Sequence, residues 1–89
     1  MIPKVKQMTS KGGNLAANQY IITTSEGRYF QSYGSTIALV PEDGGQIELG
    51  TDWNASRTTS RYRTMFLGET TKETKQNLLN GTYTLNENL

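Results

Sequence analysis

The chain has 89 residues, nine Lys plus Arg against eight Asp plus Glu, and neither histidine nor cysteine. Its length is that of one small domain, and the missing side chains exclude a disulfide scaffold, a His/Cys zinc site and any thiol or imidazole chemistry. A net charge of +1 argues against a polycation, no apolar run approaches the roughly 20 residues of a membrane span, and Met1-Ile2-Pro3-Lys4 lacks the apolar stretch of a signal peptide.

Residues 1–17 read as an irregular N-terminal arm. Pro3, Gly12, Gly13 and Asn14 break any period, and Val5, Met8 and Leu15 stand alone. A single α+β domain is expected over 18–89. Asn18–Thr24 is β-branched and aromatic, with Tyr20, Ile22 and Thr24 on one face, and reads as a strand. Ser25-Glu26-Gly27 is a turn. The next strand, Arg28–Tyr33, puts Phe30 and Ser32 on one side and Tyr29, Gln31 and Tyr33 on the other. Gly34 interrupts it, so Thr36–Val40 is either the same strand bent or a new one. Pro41-Glu42-Asp43-Gly44-Gly45 is a strong turn, followed by the alternating Gln46-Ile47-Glu48-Leu49 with Ile47 and Leu49 inward.

The period then changes. A helix is expected over about 57–67, closed by Gly68, with a buried stripe of Tyr62, Met65 and Phe66 and a threonine one turn earlier. A second helix starts at the capping box Thr70-Thr71-Lys72-Glu73, buries Leu78 and Leu79, and ends at Gly81. Thr82–Leu85 is a short last strand. The fold class is therefore α+β: an antiparallel β-meander of three to four strands packed with two short C-terminal helices. So small a core must rest on Trp53, Phe30, Phe66 and the tyrosines, and a homodimer would relieve the shortage.

Catalysis needs a proton carrier, a nucleophile or a metal. No carboxylate cluster, phosphate loop or nucleophile elbow is present, so no enzyme activity, cofactor or metal is expected; a metal-assisted hydrolase on Glu48 and Asp52 is the weakest alternative. Two constellations remain as candidate binding residues. Tyr29, Gln31 and Tyr33 would form one face of two aromatics flanking an amide, able to stack on a base and bond its edge. Arg57, Arg61 and Arg63 crowd three guanidinium forks into seven residues, able to hold phosphates or an acidic protein surface. For each, the plainer role is structural: cover by the helices for the first, pairing with Glu42, Asp43, Glu48 and Asp52 or simple solvation for the second.

The stretches Ala17–Ile22, Tyr29-Phe30-Gln31-Ser32-Tyr33, Ser56–Arg63 and Phe66-Leu67-Gly68-Glu69 resemble a family of small accessory proteins of bacteriophages and other mobile elements. That family has no assigned activity, so no residue role carries over. The resemblance implies a product acting in a bacterial host cytoplasm, of the kind that binds host factors and inhibits CRISPR or other defence systems. The expected function is a non-catalytic binder of a host protein. The alternative is a small module for single-stranded nucleic acid or a nucleotide, with the tyrosines stacking and the arginines on phosphates. No membrane partner is expected.

Overall fold

The computed structural model describes residues 2–89; Met1 lies outside them. Six strands and two helices follow one another as β1 (Lys4–Thr9), β2 (Leu15–Thr23), β3 (Gly27–Ser32), β4 (Ser35–Pro41), β5 (Glu48–Leu49), α1 (Arg57–Leu67), α2 (Thr71–Leu79) and β6 (Thr84–Leu85). The strands form one sheet in the order of the chain. The β1–β4 meander and β5 are antiparallel, and β6 joins β5 in parallel after the two helices have crossed over. The fold is α+β, as the periodicity indicates.

The N-terminal arm is a correction. Residues 4–9 and 15–17 belong to β1 and β2, not to irregular chain. The pattern hides this because β1 is an edge strand whose side chains are mostly exposed; only Met8 is buried. An edge strand contributes its backbone ladder, and lysines on an edge deter pairing with other chains. The β1–β2 register slips between Gln7 and Thr9. Asn18 takes φ 64° in the extra length of β2, and Gln7 Nε2 bridges it by donating to Ala16 O at 2.9 Å.

Gly34 marks a new strand. Ser32 and Ser35 pair across a two-residue turn in which Tyr33 (φ 51°) and Gly34 (φ 83°) are both left-handed, the hairpin geometry that matches strand twist. Glycine adopts it without a Cβ clash; tyrosine does so at a cost of about 1 kcal/mol or more. A second irregularity falls between Phe30 and Gln31, where Ile37 is the extra residue of β4.

Alternation along the strands fixes the two faces. Ile21, Phe30, Ala38 and Leu49 form a cross-strand row that α1 covers: the Phe30 and Phe66 rings lie 5.7 Å apart, and Ser32 and Thr59 hydroxyls share a hydrogen bond of 2.9 Å. The buried stripe of α1 is Thr59, Tyr62, Arg63 and Phe66. Met65, expected inward, is 39% exposed, and Arg63 takes the inward position. In α2 only Thr74 is fully buried; Leu78 is half-buried and Leu79 is exposed, again unlike the expected pair. The reason is polar: Thr74 Oγ1 donates to Glu69 Oε2 at 2.6 Å, so a hydroxyl fills the site a leucine would take.

Both helices are capped by side chains, the second by the box expected from the sequence and the first by Ser56, which the sequence reading does not single out. Ser56 Oγ accepts from Thr59 N in α1, and Gly68 closes that helix with φ 70°. In α2, Thr70 Oγ1 accepts from Glu73 N and Glu73 Oε1 accepts from Thr70 N. The bond from Thr70 N–H holds the Glu73 carboxyl below its ordinary value. A folded value below the unfolded one stabilises the fold at pH above the unfolded value and loses that gain as pH falls through the folded one. Glu73→Gln, which can still accept from Thr70 but carries no charge, is therefore expected to lower the melting temperature slightly at pH 7, to converge with the parent in acid, and so to flatten the decline between them. Melting curves between pH 7 and pH 3 check this; an unaltered acid slope would contradict it.

Candidate functional site

The face of the sheet opposite α1 has no covering layer. Among the described residues both helices pack on the other face: Tyr62 and Phe66 of α1 and Leu78 of α2 join the core cluster of Phe30, Ala38 and Leu49, which includes none of Tyr20, Ile22, Tyr29 and Leu39. Two rows of side chains cross this open face. The first is Val5, Ile22, Tyr29, Leu39, Glu48 and Thr84, one residue from each strand. The second is Gln7, Tyr20, Gln31 and Thr36. Val5 is 65% exposed, Leu39 is buried among its neighbours, and Ile22, Tyr20, Tyr29 and Gln31 are half-buried. The first row is mainly apolar and the second mainly amide and hydroxyl. Neither row holds a basic residue.

Tyr29 and Gln31 therefore share a face, as period-2 spacing requires. Tyr33 does not continue it. Its left-handed backbone places it at the β3–β4 turn, 58% exposed. Tyr29 Oη donates to Glu26 Oε2 at 2.9 Å, and this bond, with partial burial, holds the phenol above its ordinary pKa. Tyr20, Ile22 and Val5 belong to the same surface and were not candidates from sequence. The alternation Tyr20, Ile22 in β2 was the available signal, but without the strand register it could not be joined to Tyr29 and Gln31.

The three arginines separate. Arg57 and Arg61 lie exposed at i, i+4 spacing on α1. Arg63 is 0% exposed. Its Nη1 donates to Trp53 O at 2.6 Å and to Asn54 Oδ1 at 3.3 Å, its Nη2 donates to Thr71 Oγ1 at 2.7 Å, and its guanidinium stacks 5.0 Å from the Trp53 ring. All its acceptors are neutral, and Nε has none. Burial lowers the Arg63 pKa while Glu69 opposes the shift, and a guanidinium stays charged throughout. Arg63 is thus a clip joining the segment before α1 to the start of α2, and is not available to a ligand. Nor do the two constellations meet. Phe30 and Ser32 face α1, so Tyr29 and Gln31 lie on the far side of the sheet from Arg57 and Arg61. No one surface stacks bases on these tyrosines and pairs phosphates with these arginines.

The carboxylates are also apart. Glu48 Oε1 accepts from Asn86 Nδ2 at 2.6 Å, and Asp52 Oδ2 accepts from Ser35 Oγ at 2.9 Å. Among the described residues no three acidic side chains converge on a metal-sized space. Glu69 serves structure: Oε2 accepts from Thr74 and Oε1 from Tyr83 Oη, and burial with that bond pushes the Tyr83 phenol to about 12. No helix among the described residues is long and apolar enough to cross a membrane.

No curated protein and no solved structure matches this chain. A family model does, over residues 3–81, which takes in β1 through α2 and stops short of β6. The chain thereby belongs to DUF8033, a family of unknown function.

Proposed function

We propose that this is a non-catalytic binding protein that docks a partner protein on the open face of its sheet. The observation that carries the reading is the uncovered cross-strand surface of Val5, Ile22, Tyr29, Tyr20 and Gln31. Tyrosines, such as Tyr20 and Tyr29 here, are among the residues that protein interfaces concentrate. The rows lack basic residues, and Glu26 and Glu48 sit among or beside them, which favours a protein surface over a nucleic acid backbone. The resemblance to phage and mobile-element proteins supports a host factor in the bacterial cytoplasm as the partner, with inhibition as the outcome.

A photo-crosslinking amino acid at Gln31 tests this in host cells, with the same group at Lys72 on α2 as reference. The expected result is one dominant protein adduct from position 31, absent from position 72 and lost on Ile22→Glu. An adduct of twice the chain mass would identify the partner as a second copy. Equal adducts from both positions, or none from position 31, would overturn the reading.

A further inference from the structure

A hollow of about 320 Å³ lies between the tip of the β1–β2 hairpin and the exposed side of α1, lined by Ser10, Lys11, Gly12, Arg61, Tyr62 and Met65. It is on the opposite side of the molecule from the surface assigned above. Lys11 and Arg61 are exposed, and they reach it from elements 50 residues apart in the chain. No carboxylate is among its lining residues. The contrast with Arg63 is direct: two residues on, that guanidinium is consumed by Trp53, Asn54 and Thr71, whereas Arg61 borders open space. Tyr62, 5% exposed, and Met65, 39% exposed, supply an apolar side.

We propose that this hollow binds an organic phosphate, with the phosphate held between Lys11 and Arg61 and a planar or apolar body against Tyr62 and Met65. The charge count selects the anion. An arginine fork alone satisfies a carboxylate; a second cation of a different kind, a compact hydrated ammonium, is matched by a group of about −2 charge with three acceptor oxygens. Ser10 adds a hydroxyl donor, and Gly12 leaves the hairpin tip without a side chain: a Cβ there would meet nothing nearer than 3.8 Å. The volume is at the lower end of the range for small-molecule pockets, about 300–1,000 Å³, which suits one phosphate and one ring system.

Amide shifts of the full chain, titrated with adenosine monophosphate, adenosine and inorganic phosphate, test the site. Adenosine monophosphate is expected to move the signals of Lys11, Gly12 and Met65 and to bind at least tenfold more tightly than either fragment, with affinity falling as salt is added. Lys11→Gln and Arg61→Gln, both exposed positions, should each weaken it at least tenfold, and Lys72→Gln should not. Three results would overturn the proposal: no shift at these residues, adenosine binding as well as its phosphate, or the Lys11 and Arg61 variants binding like the parent chain.

Discussion

Replacing Arg63 by alanine is expected to destabilise the fold by about 3 kcal/mol, although the residue touches no carboxylate. Two acceptors lose their donor at once, Trp53 O and Thr71 Oγ1, and Asn54 Oδ1 is left with Ser60 Oγ alone. Each hydrogen bond to a charged group contributes about 1.5–3 kcal/mol, and the Trp53 stacking adds to it. Rehydrating the guanidinium in the unfolded chain, which the native protein forgoes, offsets part of that sum. A domain of this size holds a total stability of about 5–15 kcal/mol, and about 1 kcal/mol moves the melting temperature by about 4–8 °C. The midpoint should therefore fall by about 12–24 °C. Arg63→Met separates bonding from volume. It refills most of the space and leaves Trp53 O and Thr71 Oγ1 without their donor, so it should recover less than half of the loss. Thermal melts followed by circular dichroism decide the matter; a methionine variant as stable as the parent would show that shape, not the forked donor, is what the site needs.

Gly27→Ala is expected to have an effect of similar size by a different route. Gly27 is buried, has φ 148°, and begins β3 opposite Pro41. A Cβ there would stand 2.2 Å from Val40 O and 2.9 Å from Glu42 N, both backbone atoms that cannot swing aside. The strained backbone costs about 1–3 kcal/mol and the forced separation of β3 from β4 about 1–3 kcal/mol more. Gly44→Ala is the matching control. It too has positive φ (76°), but nothing lies within 4 Å of its added carbon, so only the backbone strain of about 1 kcal/mol or more applies. Urea denaturation of the two variants should give losses differing by at least twofold. Equal losses would mean that the close approach at Gly27 relaxes without cost.

The elements most legible in the sequence were those that bury a periodic side or carry a specific cap. Phe30 with Ser32, the Pro41–Gly45 turn, the Thr70–Glu73 box and Gly68 all act within a few residues of themselves. The β1 strand was not legible because its structure is supplied by pairing with β2, and its own lysines and valine stay exposed. The inward side of α1 was misread at one step, Met65 for Arg63, because a buried arginine stabilised by neutral acceptors has no hydrophobic signature. The same holds for Thr74 in α2. Of the candidate binding residues, Tyr29 and Gln31 were correctly placed together on one sheet face. Whether that face is covered depends on which side the helices choose, and that choice is made by Phe66 and Thr59, more than 25 residues away. The link between Lys11 and Arg61 is likewise a product of topology and has no local sign.

The parallel pairing of β5 with β6 bears on the order in which the molecule assembles. The hairpins of β1 to β4 join near neighbours, and contacts of short loop length form early. Glu48 meets Thr84 and Asn86 only after a segment of more than 30 residues has folded back. The sixth strand therefore acts as a latch on a nearly finished sheet. Interrupted-label hydrogen exchange should show amides of Tyr20 and Phe30 protected before those of Thr84 and Asn86, with release in the reverse sequence during unfolding.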